Sequence, residues 1–202
     1  MPRGLIHINN NILCAVDVET TGLEPGYHDI YQISILPLGP DLKPITSIIP
    51  FYIDMQVTNP DRIDKKAVKM NREQFAIKQQ RALDPFSGAD LLDQWFERLN
   101  LPAYKKIMPL AQNWPFDRSF ITHWLGKENF EYTFSPLYRD TMVISQFHTD
   151  LMDHRGEPIV FPQYNLQYLC QKLGIKNQKP HDALQDCIAT AEVYRRLLLL
   201  YV

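Results

Sequence analysis

Residues 12–18, ILCAVDV, are apolar at six of seven positions, and Glu19 and the turn formers Thr20, Thr21 and Gly22 follow at once. A run this short and without polar alternation reads as a strand covered on both faces, so the chain has to build a sheet with a layer on each side. Asp17 and Glu19 stand at the end of that strand. Two positions apart on a strand, their side chains leave from the same face. Carboxylates withdrawn from water repel each other and are costly unless a cation lies between them. A single D-x-E also fits a turn with a capping acid, so the pair decides nothing until the same pattern returns elsewhere.

Four more strands are predicted, over residues 30–38, 45–53, 106–111 and 138–140. Helices are predicted over 60–81, from a cap at Ser87 to Asn100, and from Pro115 to Leu125, where proline fits a first helical turn. Others follow Asp140 through Phe147, run from the cap Asn165 to Gly174, and run from Asp182 to about Leu200. Residues 149–163, with Gly156, Pro158 and Pro162, read as a loop. Three strands in a meander, then strands alternating with helices, predict an α/β fold with a mixed sheet and helices on its faces, in one domain over 1–202. Ligand sites in such folds lie at the carboxyl ends of strands, where Asp17 and Glu19 stand.

Acids recur at two comparable places. In QNWPFDRSF, Asn113 ends a strand and Asp117 falls in the first turn of the next helix. The helix dipole alone is reason enough for an acid there. In HDALQDC, Asp186 lies five residues after His181, about 140° around a helix, so the two share no helical face. With the helix starting at Asp182, His181 sits on the loop before it and can lean over the place that Asp186 enters. A histidine beside carboxylates has the proton affinity of a base at neutral pH.

Together DVETTGL, NWPFD and HDALQD resemble, in order and spacing, the three motifs of the DEDDh (DnaQ-like) 3′→5′ exonucleases. That group includes a polymerase proofreading subunit, ribonuclease T and oligoribonuclease. DTMVIS and NLQYLCQKLGI are similar to the family's segments around the motifs, so the likeness runs from about residue 12 to 200. The sister group with a tyrosine carries it four residues before the last acid; here that position is Asp182, so the histidine branch is the match. The resemblance implies a ribonuclease H-like fold with a mixed five-stranded sheet, and hydrolysis with two Mg²⁺ or Mn²⁺ ions. Asp17, Glu19 and Asp186 would hold the first ion, with Asp17 bridging to the second. Asp117 would hold metal-bound water, and His181 would be the general base. It also implies that Thr20, Gly22 and Leu23 meet the terminal nucleotide, that Phe116 stacks on a base, and that Met70 and Asn71 line the nucleotide pocket. Trp114 departs from the family's small residue and is either a further stacking platform or a core anchor. Gln112 and Gln32 stand where His and Glu are common.

Composition narrows the partners. A net charge of −2 and a pI near 6.3 do not suit a protein that coats duplex nucleic acid, but they allow one that grips a chain end. The implied substrate is the 3′ end of single-stranded DNA or RNA. Residues 62–81 hold seven basic residues against Asp64 and Glu73; they either follow phosphates or form a solvated helix face over an inner stripe of Ile63, Ala67 and Met70. Cys14, Cys170 and Cys187 have no zinc spacing and read as buried thiols of a reducing compartment. LLLLYV is too short to span a bilayer. A soluble, cytoplasmic protein with no membrane partner is expected. Some relatives are homodimers, which leaves that state open. A polymerase partner finds no support, since no docking tail follows the last helix. A non-catalytic module that binds nucleic-acid ends is the alternative of a different class, and the retained acids and His181 give it none.

Overall fold

The computed structural model describes residues 9–68 and 72–200. Met70 and Asn71 lie outside the described residues. Five strands form one mixed sheet: β1 (Ile12–Thr20), β2 (Ile30–Pro37), β3 (Phe51–Asp54), β4 (Ile107–Ala111) and β5 (Arg139–Asp140). Their order is β3-β2-β1-β4-β5, with β1–β2–β3 antiparallel and β1–β4–β5 parallel. The predicted meander and mixed sheet are both present.

The helices are α1 (Arg72–Arg81), α2 (Pro85–Arg98), α3 (Trp114–Leu125), α4 (Lys127–Thr133), α5 (Thr141–Arg155), α6 (Leu166–Lys172) and α7 (Ala183–Leu199). Alternation along β1 sorts them into two layers. Ile12, Cys14, Val16 and Val18 enter one core with Leu92 and Phe96 of α2, Phe120 and Ile121 of α3, and Phe130 of α4. Leu13 and Ala15 enter the opposite core with Cys187, Ala191 and Tyr194 of α7. Asp17 and Glu19 continue that second series, so the strand aims both acids toward α7.

Four expectations need correction. The third strand begins at Phe51 rather than 45, because residues between Pro44 and Pro50 form a turn closed by the bond from Ile48 N–H to the Ile45 carbonyl. Proline offers no N–H to a ladder on either side. The helix predicted from Ser87 is capped instead by Asp84, whose carboxylate accepts from the N–H groups of Phe86 and Ser87. The helix predicted over 60–81 reduces to a single 3-10 turn at Pro60–Arg62 and to α1, with residues 63–68 non-helical. Finally, residues 149–155, read as loop, complete α5; Gly156 in the left-handed conformation (φ +69°) is its stop.

All three cysteines are buried free thiols. Among the described residues no helix is long and apolar enough to cross a membrane.

Candidate active site

β1 outlasts its parallel neighbour: the β1–β4 pairing ends at Ala15 opposite Leu110, so the Val18 amide has no strand partner on that side. Asp117 fills the gap. Its Oδ1 accepts from Val18 N–H at 3.0 Å, which fixes this buried carboxylate between Asp17 and Glu19. The turn that delivers it needs Asn113 in the left-handed region (φ +68°), a conformation Asn tolerates. That turn is gripped by buried Asp140, which accepts from Asn113 N–H at 3.0 Å and Trp114 N–H at 2.8 Å while capping α5 through Met142 N–H.

On the other face α7 begins at Ala183, with Asp182 as its cap and His181 on the loop before it, as the sequence predicts. Asp186, in the first turn, is held through both oxygens. Oδ1 accepts from the Asn177 amide at 2.5 Å and Oδ2 from His181 N–H at 3.1 Å. Glu19, His181 and Asp186 each offer a ligand atom within 4.8 Å of the other two. Tyr31 donates its hydroxyl to Glu19 Oε2 at 3.3 Å.

The electrostatics follow from this crowding. Burial, and then the charges of Asp117, Glu19 and Asp186, push the Asp17 carboxyl well above the ordinary carboxylate range. Burial and Asp186 raise Glu19 to about 7, against the pull of the Tyr31 hydroxyl and of Lys78. Asp117 rises chiefly by burial, opposed by the Val18 amide. Asp186 also rises by burial, with Asn177 and the His181 amide opposing. Four acids that all hold protons too tightly form a cage short of positive charge. Their carboxylate oxygens are the hard donors that a small divalent cation such as Mg²⁺ or Mn²⁺ takes, and the His181 imidazole beside them is a softer nitrogen.

The profile of the RNase T exonuclease family matches residues 14–194. The chain belongs to that exonuclease family. Solved exonuclease structures share its fold. The cell-death related nuclease CRN-4 superposes with a TM-score of 0.70 at 18% identity over 94% of this chain and 64% of its own. E. coli exonuclease I in complex with a dT13 oligonucleotide gives 0.70 at 17% over 95% of this chain and 42% of its own. The nuclease domain of 3′hExo, described as a DEDDh family member and bound to rAMP, gives 0.65 at 17%, covering 94% of this chain and 92% of that domain. The chain therefore spans less than two thirds of the first two. No curated protein sequence gives a significant match.

The remaining residues taken from the resemblance fall unevenly on this exonuclease fold. Leu23 is 73% exposed beside the end of β1. Phe116 is half-buried, its ring 5.0 Å from Phe120. The Thr20 hydroxyl is committed to the turn, donating to the Gly22 carbonyl at 2.7 Å. Gly22 is needed locally as well, since a Cβ there would lie 2.0 Å from the His28 ring. Trp114 is only 2% exposed and packs on Phe130, Phe134 and Tyr138, so of its two readings the core anchor holds and the stacking platform falls.

Sequence reasoning missed the network beside the acids. Gln32, fully buried, donates from Nε2 to Asp54 (2.6 Å) and to the Tyr52 hydroxyl (3.0 Å), and its Oε1 accepts from Ala183 N–H (2.9 Å). Tyr52 donates to Asp182 at 2.9 Å, and Lys78 lies 3.7 Å from Asp54 and 3.8 Å from Asp182. This group ties the start of α7, and with it the His181 turn, to the sheet. The one signal available in the sequence was Gln32 itself, a residue that departs from the family pattern.

Proposed function

We propose that the chain is a divalent-metal-dependent 3′→5′ exonuclease that releases nucleoside monophosphates from the ends of single-stranded DNA or RNA. The observation that carries this reading is the convergence of Asp17, Glu19, Asp117 and Asp186 beside His181, with proton affinities raised by burial and mutual repulsion. Asp17, Glu19, Asp117 and Asp186 are the residues that would hold Mg²⁺ or Mn²⁺. Two such ions, when bound, offset the charge of the scissile phosphodiester and of the groups that form and leave around it.

The protein's own groups do the rest. His181 stands at the rim of the acids on a loop, where its imidazole takes a proton from the water that attacks phosphorus. The bond between phosphorus and the preceding nucleotide's 3′ oxygen breaks, leaving a shortened chain with a 3′ hydroxyl and a free nucleoside 5′-monophosphate. Asn177 and the His181 amide keep Asp186 in one orientation throughout. Exposed Leu23 and half-buried Phe116 offer the apolar surface for the terminal bases.

A time course on 5′-labelled single-stranded DNA, RNA, a dinucleotide and blunt duplex, with Mn²⁺ or Mg²⁺ and with EDTA, tests the reading. Products shortened by one nucleotide at a time, only with metal, are expected. Cleavage that continues undiminished in EDTA would overturn it.

A further inference from the structure

The basic segment that follows Asn59 has a different place from the one its sequence suggests. As a helix with Ile63, Ala67 and Met70 turned inward it would carry its cations on a solvated face. Instead residues 60–68 lie as a strap along the β1–β2 loop. The Asp29 carboxylate accepts from Thr58 N–H (2.8 Å), the Thr58 hydroxyl (3.0 Å) and Asn59 N–H (3.2 Å), and Asp64 N–H donates to the Thr21 carbonyl at 2.8 Å.

A continuous series of contacts then leads outward from the acids. Gly22 presses against the His28 ring, whose Nδ1 accepts from Glu24 N–H at 3.1 Å. The Tyr27 ring stands 4.9 Å from that of His28, and the Arg62 guanidinium lies 4.8 Å over the Tyr27 ring. Tyr27 remains 51% exposed with Arg62 upon it, and Arg62, Lys65 and Lys66 are exposed. A loop tied down by these hydrogen bonds and ring contacts therefore presents an aromatic ring and three cations next to the turn that carries Leu23. The chain as a whole has a net charge of −2, and its reacting end is a cluster of acids. A polyanion approaching that end needs local positive charge; the strap carries Arg62, Lys65 and Lys66 against the exposed acids Asp61 and Asp64, a local excess of one cation.

We propose that Tyr27 and Arg62, with Lys65 and Lys66, form a subsite for the nucleotides upstream of the one removed, with a base on the tyrosine and phosphates along the strap. The proposal rests on the exonuclease reading above. A base on an aromatic platform and a phosphate beside an arginine are the ordinary means of holding a single strand without reading its sequence.

The test compares a dinucleotide with a dodecanucleotide, by KM for hydrolysis and, independently of turnover, by fluorescence anisotropy of the labelled strands with Ca²⁺ in place of Mg²⁺. In Tyr27→Ala the preference for the longer strand should fall about fivefold or more, the effect of losing one stacked base. Tyr27→Trp should retain it. In Arg62→Gln the slope of log affinity against log salt should shrink by about 0.7, the value of one single-strand phosphate contact. If both Tyr27→Ala and Arg62→Gln keep the parent's length preference and salt slope, the subsite does not exist. If the parent protein binds strands in this length-dependent way but never cleaves them, the exonuclease reading fails while the subsite stands.

Discussion

Two groups of carboxylates lie side by side under the start of α7, and they are held in opposite ways. Asp54 and Asp182 are met from within: Lys78 faces both, Tyr52 donates to Asp182, Gln32 donates to Asp54, and the backbone N–H of Gln185 in α7 donates to Asp182. Asp17, Glu19, Asp117 and Asp186 have no cation of their own beside them among the described residues. Three of them accept neutral donors (Val18 N–H to Asp117, the Tyr31 hydroxyl to Glu19, Asn177 and His181 N–H to Asp186). Yet burial first, and then neighbouring carboxylates, raises the proton affinity of all four. A network complete in itself is structural. One completed only by a cation from outside is the kind that does chemistry, because buried charge left unpaired is a standing cost that folding alone does not select.

The strongest way to break this contrast is to remove an acid from the incomplete group. Asp17→Asn should lower hydrolysis on the order of a thousandfold or more, the scale of losing a metal-dependent step. The same change should raise the thermal midpoint measured in EDTA, because it removes repulsion. Asp182→Asn, in the complete group, should lower that midpoint. Parallel melting curves and rate measurements decide the matter: an Asp17→Asn protein that is both active and less stable would erase the distinction.

Stability against pH gives the next effect. A carboxyl whose proton affinity is higher folded than unfolded stabilises the fold while protonated and loses that contribution as pH rises through its folded value. For Glu19 the window runs from the ordinary 4.5 to about 7, and the loss is on the order of 3 kcal/mol if this group acts alone. Asp17 and Asp117 act in the same direction. The metal-free protein should therefore melt at lower temperature at pH 8 than at pH 5, and Mn²⁺ or Mg²⁺ should remove most of the fall. A midpoint in EDTA that rises over this range would show the acids to be neutralised internally.

Gln32→Glu attacks the complete group instead. It replaces the amide donor at 2.6 Å from Asp54 by an anion at a fully buried position. Two hydrogen bonds are lost and a third carboxylate joins Asp54 and Asp182, a change worth about 3 kcal/mol in denaturant unfolding. Adding Asp54→Asn should recover a large part of it by restoring an amide–carboxylate pair. If the single substitution is silent, the network is looser than its distances indicate.

These contrasts mark where sequence reasoning reached and where it stopped. The buried strand, its terminal acids and the loop position of His181 rest on local periodicity and capping, so they were legible from residues 12–19 and 181–186. That Asp17 and Glu19 share one face follows from strand alternation alone; that α7 is what covers this face does not. What was not legible depends on partners far apart in sequence. Nothing near Gln32 announces that its amide meets Asp54 and Ala183, and nothing in the charges of 62–81 announces that Asp29 and Thr21 pull residues 58–64 away from a helix. Trp114 was undecided for the same reason: a tryptophan at a helix start serves a ligand or a core equally well until Phe130 and Phe134 are seen against it.

Lys78 gives the smallest effect and the sharpest comparison, because it reaches both groups. It pairs with Asp54 and Asp182 at nearly 4 Å, its side chain 22% exposed, a geometry that contributes about 1 kcal/mol at most. Its field also lowers the proton affinity of Glu19. Lys78→Met should therefore weaken the fold only slightly, while Glu19 holds its proton to higher pH. The fall in metal-free stability should begin at the same pH as in the parent but continue to higher pH, so its upper end moves up, a displacement readable from melting curves taken across that range. Lys78→Arg should restore the parent curve. An unmoved curve would make the two groups electrostatically separate; a loss of several kcal/mol would mean that the complete group owes its integrity to this one cation rather than to Gln32 and Tyr52.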